Sequence, residues 1–144
     1  MATAKVRDVA AYILNKLGPV TAMKLHKLLY YSQAWSLVWD DEPLFSETIE
    51  AWANGPVIPE IYQHHKGQFQ LSEWPGGKPE NLTETQRESI DAVLEFYGDK
   101  KSMWLSELTH KEQPWRDARK GLPPGERGNE EISWAAMAEY YGSL

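Results

Sequence analysis

The chain of 144 residues contains no cysteine, so neither a disulfide framework nor a thiolate zinc site is available to it. Its apolar residues never continue for more than a few positions, so no membrane-spanning helix and no secretory signal are expected, and a cytoplasmic location is the default. Cations are the minority: 15 Lys and Arg face 21 Asp and Glu, giving a net charge of −6. Phosphate contacts supply most non-specific affinity for nucleic acid, so nucleic acid is not an expected partner. The sequence also lacks a Gly-x-Ser-x-Gly elbow, a phosphate-binding loop and a dinucleotide fingerprint. These absences leave little room for an enzyme and point towards binding.

What is abundant is aromatic surface. Seven Trp and seven Tyr are a heavy load for one domain, and residues 1–144 are read here as a single domain able to bury its own core. Aromatics dominate both cores and interfaces, so the excess fits either use. Charge is uneven as well. In the first 31 residues Lys5, Arg7, Lys16, Lys24 and Lys27 stand against Asp8 alone, whereas Asp40, Asp41, Glu42, Glu47, Glu50 and Glu60 follow with no Lys or Arg among them.

Apolar positions at three- and four-residue steps predict a helix over 3–17, with Thr3 as its cap and Gly18-Pro19 as its stop. A second helix, capped by Thr21, runs to about Trp39. Leu25, Leu28, Leu29, Trp35 and Trp39 make one of its faces, while Met23, Tyr30, Tyr31, Ala34, Leu37 and Val38 cover most of the other. The clearest polar stripe left is His26, Gln33 and Asp40. A helix apolar nearly all round is either central in its domain or has a second partner. Residues 45–52 alternate weakly, as a short extended segment would. Asn54-Gly55-Pro56 is turn chemistry, and Pro59 opens a short helix over roughly 59–66.

Beyond Gly67, residues 72–81 read as an exposed loop. Thr83 and Gln86 have capping-box spacing ahead of a helix over 84–97, and Ser102 starts another to about His110. Pro114 opens a short helix closed by Gly121, and a second loop begins at Leu122. Ser133 caps a last helix ending at Gly142, with Ile132 placed to staple onto Met137. The expected fold is mainly α, with about six or seven helices and at most a short β segment near residues 45–52.

Catalytic and metal chemistry are thin. Glu60 and His64 stand four apart with His65 adjacent, but zinc needs three or four ligands, and no metal or other cofactor is expected. The acid clusters at 40–42 and 130–131 read as solvated charge. The two helices over 3–39 resemble the start of a helix-turn-helix reader. A recognition helix, however, needs an exposed row of base-reading side chains, and the second helix offers only Lys24, His26, Lys27 and Gln33 among many apolar ones.

The ordered motifs resemble those of one family. They are Lys24-Leu25-His26-Lys27-Leu28-Leu29-Tyr30-Tyr31, then Pro43-Leu44-Phe45, and Ile49-Glu50-Ala51-Trp52-Ala53-Asn54-Gly55-Pro56-Val57-Ile58-Pro59-Glu60-Ile61-Tyr62. Leu105-Ser106-Glu107-Leu108-Thr109-His110 with Pro114-Trp115 resembles that family's second signature. The family is the Panacea antitoxin domain, also described as phage-associated GepA-like or SocA-like proteins. The chain departs from it at His26, where Gln is frequent, and at Asn54, where an aromatic is frequent.

The resemblance implies a non-catalytic antitoxin that binds and blocks a toxin encoded by an adjacent bacterial or phage gene. A helical DNA-associated regulator, or a protease adaptor delivering a toxin, is the alternative. A homo-oligomer and a toxin–antitoxin hetero-oligomer both stay open, and no membrane contact is implied. Partner binding is assigned to Lys27, Tyr30, Tyr31, Trp35, Asp41, Glu42 and Glu47, with Tyr30, Tyr31 and Trp35 expected to be partly exposed. Leu25, Leu28, Leu29, Trp52, Gly55, Pro56, Val57, Tyr62, His110 and Trp115 are assigned to the scaffold, with the three leucines and Trp52 in the core.

Overall fold

The computed structural model describes residues 4–123 and 125–144, so the Thr3 cap and Pro124 in the second loop lie outside the described residues. It is mainly α. The helices are α1 (Val6–Leu17), α2 (Ala22–Trp39), α3 (Pro59–His65), α4 (Glu84–Tyr97), α5 (Ser102–Lys111), α6 (Gln113–Ala118) and α7 (Trp134–Gly142). Two small antiparallel ribbons join them. Strand β1 (Val20–Thr21) pairs with β4 (Gln70–Leu71), and β2 (Glu50–Trp52) pairs with β3 (Gly55–Val57).

Helix α2 is the axis of the fold. Every residue from Leu25 to Ala34 is buried, and α1, α4, α5, α7 and β3 all pack against it. That settles why the helix is apolar all round: it is enclosed on every side. Its ends follow the local chemistry. The Thr21 hydroxyl accepts from the Lys24 N–H at 3.1 Å, and α4 and α7 start on Thr83 and Ser133 in the same way. Ile132 and Met137 are both buried where a hydrophobic staple places them.

The polar stripe of α2 does not face water. Gln33 is fully buried and grips the crossing loop: its Oε1 accepts from the Leu44 and Phe45 N–H groups, and its Nε2 donates to the Phe45 carbonyl at 2.7 Å. His26 Nδ1 accepts from the Ile58 N–H at 3.1 Å, and Asp40 accepts from the Ser89 hydroxyl at 2.6 Å. Gln33 and His26 thus pin Leu44, Phe45 and Ile58 of the crossing segment to the central helix, while Asp40 at the end of that helix ties it to α4. Each bond satisfies a backbone or hydroxyl group that burial would strand at a cost of about 1–3 kcal/mol.

The short β segment sits at the end of the stretch expected for it, and its turn is one residue earlier than read from sequence. Ala53 and Asn54 make the turn, whereas Gly55 and Pro56 already belong to β3. A proline fits that strand because Ala51, opposite it, directs its backbone elsewhere. The Ala51 N–H donates to the Glu130 carbonyl at 2.8 Å, and its carbonyl accepts from Arg119 at 3.0 Å. The pair therefore needs no N–H from Pro56. The Ile132 N–H donates to the Ile49 carbonyl, so the second loop lies along the free edge of β2.

Tyr30 and Tyr31 are fully buried, which corrects their expected exposure. Helices α4 and α7 cover that side of α2 with aromatic rings of their own. Tyr31 stacks on Tyr97 with centroids 4.1 Å apart, and both α2 tyrosines meet Tyr141 edge-on. Trp35 keeps partial exposure, stacks on the exposed Trp39, and donates to the Tyr97 hydroxyl. Leu25, Leu28 and Leu29 are core. Trp52 is not, because the hairpin holds it at the edge of a cavity, half-buried.

Glu112 closes the aromatic cluster. Its Oε1 accepts from the Tyr31 and Tyr141 hydroxyls at 2.6 and 2.7 Å, and burial raises its pKa even though both hydrogen bonds oppose the rise. A carboxyl raised in the folded state destabilises it progressively as pH climbs from the usual carboxylate range through the folded value. Glu112→Gln keeps an oxygen for both hydroxyls and removes the charge. Its thermal midpoint should equal or exceed wild type at pH 7, with the difference vanishing near pH 4. Glu112→Ala strands the buried Tyr31 hydroxyl, while that of Tyr141 keeps the Tyr30 hydroxyl 3.0 Å away, and should lose about 1–3 kcal/mol at either pH in denaturant titrations.

Candidate functional site

The hairpin β2–β3, helix α3, the start of α2 and the segment 127–129 enclose a cavity of about 650 Å³. Trp52, Tyr62 and Val57 give it apolar walls, and the Trp52 and Tyr62 rings meet edge-on with centroids 5.0 Å apart. Its ionisable lining is Lys27, His26, His65 and Arg127, with no Asp or Glu. A second cavity, of about 550 Å³, carries charges of both signs: Lys5 and Arg7 share it with Glu47, Glu60 and Glu73. The first is the more pointed feature, being cationic in an acidic protein.

Lys27 sits at the base of the first cavity with 1% of its surface exposed. Among the described residues no carboxylate lies within 4 Å of its Nζ and no hydrogen bond holds it. Burial alone lowers its pKa to about 7. The side chain reaches this position because residue 55 is glycine. A Cβ there would stand 2.6 Å from Lys27 Cε, 3.0 Å from its Nζ and 3.2 Å from the Thr109 hydroxyl. Gly55 also holds φ at +125°, a conformation that L side chains rarely adopt.

Two histidines line one wall in a fixed order. Because His26 Nδ1 accepts from the Ile58 N–H, its proton is on Nε2, which donates to His65 Nε2 at 2.7 Å. That assigns the His65 proton to Nδ1, which is buried and has no partner. Both rings are neutral at neutral pH. Burial lowers both pKa values, and for His26 the charges of Lys27 and His65 lower it further. This pair was missed in the sequence. The signal was there: Ile61 and His65 are four apart on α3 and share its inward face, while Glu60 and His64 pair at 3.5 Å on the outer one.

The second signature holds the hairpin. His110 stacks on Trp115 with centroids 4.1 Å apart, and Trp115 Nε1 donates to the Trp52 carbonyl at 2.9 Å. Arg119, buried, donates from Nη1 to the Ala51 carbonyl and from Nη2 to Glu126. Thr109 is fully buried against Gly55. No periodicity marks Arg119 or Arg127, whose roles come from contacts between distant segments.

The residues assigned to partner binding therefore separate. Lys27 is in the cavity, Tyr30 and Tyr31 are in the core, and Asp41 and Glu42 are exposed on the turn after α2. Glu47 is partly buried and accepts from the Val6 N–H at 3.2 Å, at the start of α1. Of the assigned scaffold, Trp52, Val57 and Tyr62 line the cavity, Gly55 and Pro56 form its hairpin, and His110 and Trp115 brace that hairpin from outside.

Two measurements check this arrangement. Gly55→Ala should cost about 1–3 kcal/mol from backbone strain, with the Lys27 clash in addition, whereas Asn54→Ala at the exposed turn should change the denaturation midpoint little. For Lys27 the sign follows from its lowered pKa. The folded state loses stability as pH falls from the ordinary lysine value towards 7, because the unfolded chain takes up the proton first. Lys27→Met keeps the stem and removes the amine. It should be more stable than wild type at pH 7 by on the order of a few kcal/mol, a gap that narrows by pH 9.

Most of the cavity wall, with Trp115 of its clamp, falls within a stretch with known relatives, whereas Met23, Arg119 and the segment 127–129 lie outside it. The family model described as Antitoxin SocA-like, Panacea domain matches residues 25–116. Antitoxin SocA of Caulobacter vibrioides (strain NA1000 / CB15N) is 38% identical over 61 residues, which cover 40% of this chain and 32% of that protein. The match thus spans about a third of the relative's length. No solved structure matches the chain. The family match takes in α2 from Leu25 onward, the hairpin, α3, α4, α5 and α6 as far as Arg116. With more than half of its length matched, the chain belongs to the SocA-like antitoxin family with the Panacea domain.

Proposed function

We propose that this protein is an antitoxin that neutralises a toxin encoded by an adjacent gene, by direct protein–protein binding and without catalysis. Family membership over residues 25–116 carries the reading. The relative named Antitoxin SocA agrees with it. The fold is compatible in two respects. Large apolar side chains stay exposed at Met103, Trp104, Phe96 and Trp134, the kind of residue from which interface hot spots are made. The turn after α2 presents Asp41 and Glu42 to solvent, where charge would steer a basic partner.

The DNA-reading alternative loses its main support. Helix α2 is enclosed from Leu25 to Ala34, and its candidate base-reading side chains His26, Lys27 and Gln33 are all buried. A helix that forms the axis of the core does not enter a groove.

Co-expression with the neighbouring gene product tests the proposal. The toxin should be tolerated only with this protein present, and the two should co-purify as a defined complex. Full rescue of growth without any complex in cells or in vitro would reject direct binding. The charge contribution has its own measurement, using Asp41→Asn, Glu42→Gln and Glu47→Gln together. Gln at 47 retains an acceptor for the Val6 N–H, so folding is spared. Association should slow several-fold at low salt and approach wild type at high salt. An unchanged low-salt rate removes steering and leaves occlusion standing.

A further inference from the structure

We propose that the cavity beneath the hairpin is a binding site for a small organic carboxylate. The anionic group would meet Lys27 at the base with Arg127 at the rim, and the apolar body would lie against Trp52, Tyr62, Val57 and Met23. The inference concerns the free protein and does not depend on toxin binding.

Three observations carry it. The first is an uncompensated cation: Lys27 is 1% exposed, lines the cavity, and has neither a carboxylate nor a hydrogen-bond acceptor among the described residues. Buried charges are ordinarily paired, and an unpaired one in a cleft marks a place where a ligand completes the pairing. The second is that the fold makes room for the amine. Gly55 lacks the Cβ that would collide with Lys27, and Trp115 and Arg119 hold the paired strand β2 through the Trp52 and Ala51 carbonyls. A chain under no demand for the amine has Met or Leu available at position 27 with no such arrangement. The third is shape and lining. About 650 Å³ with mostly apolar walls and a few polar groups is the usual form of a small-molecule site.

The number of cations selects the anion. Lys27 is a single point charge and Arg127 a single exposed partner, and the neutral His26–His65 pair adds none. The site therefore matches a singly charged carboxylate better than a doubly charged phosphate ester.

The probes are 2-naphthoate, its neutral amide 2-naphthamide and 2-naphthyl phosphate, each titrated calorimetrically into the wild-type chain and into Lys27→Met and Arg127→Ala. The carboxylate should bind saturably, tenfold or more tighter than either comparator. Lys27→Met should weaken it at least tenfold and Arg127→Ala, an exposed substitution that spares the fold, severalfold. The groups facing Lys27 are His26 from its own helix, His65 from α3, His110 from α5 and Arg127 from the second loop. The three histidines are already neutral above pH 7 and Arg127 stays charged. Affinity should then fall about tenfold per pH unit above 7 as the amine loses its proton. Equal binding of the amide, tighter binding of the phosphate, no saturable binding of the carboxylate, or affinity unchanged between pH 7 and 9 would each overturn the assignment. If Lys27→Met fails to fold, Arg127→Ala and the pH series decide it.

Discussion

Much of this structure turns on one contact, the passage of the Lys27 stem across the place where Gly55 has no side chain. For the amine to lie at the base of the cavity, the hairpin must come within van der Waals distance of α2, and only glycine permits that approach. Glycine alone makes a weak strand, however, so the hairpin needs support from outside. That support comes from far along the chain: Trp115 and Arg119 bond the carbonyls of Trp52 and Ala51, and Thr109 fills the space beside Gly55. The two signature segments are thus two sides of one joint.

The same helix carries a second buried ionisable group one turn further on, and the two are resolved differently. Tyr31, four residues after Lys27, donates to Glu112, which also takes the Tyr141 hydroxyl. Glu112 is 6% exposed, yet its charge is spread over two strong donors. Glu112 and Lys27 would have neutralised one another had the fold brought them together. They are instead kept apart, with the carboxylate answered by hydroxyls and the amine by nothing within the described residues. Desolvation without a partner is expensive in stability, and natural chains retain such expense mainly where a function uses it.

Much of the fold was legible because its cues are local. Thr83 with Gln86, Ser133, Thr21, Gly18-Pro19 and Pro59 act within a turn of where they stand, and each helix begins or ends close to its cue. The site was legible only in part. Lys27, Trp52, Gly55, Val57 and Tyr62 were singled out, but Trp52 was placed in the core, and Tyr30 and Tyr31 at the surface. Helical periodicity explains the second error. It reports which side chains share a face, and cannot say how many neighbours will cover that helix. When apolar positions are spread over most of a helix's faces, as in α2, every face looks equally sticky until α4 and α7 are in place. The His26–His65 bond, Arg119 and Arg127 depend on contacts across tens of residues, beyond the range of any local pattern.

His26 joins these threads. Its imidazole offers one acceptor to the Ile58 N–H and one donor on the far side. Glutamine offers the same pair through its carbonyl and amide, so the exchange preserves the bond that sets the exit of β3. What imidazole adds is a ring that can be charged, only 5.0 Å from the ring of His65 and beside Lys27. Three nitrogen bases around one acid-free cavity cannot all hold protons, and burial settles the order by keeping the histidines neutral while Lys27 titrates near 7. The cavity thereby carries a positive charge at its base in mildly acidic solution and loses it as pH rises through about 7. The hairpin, the helix axis and the second signature all act on where that charge is held.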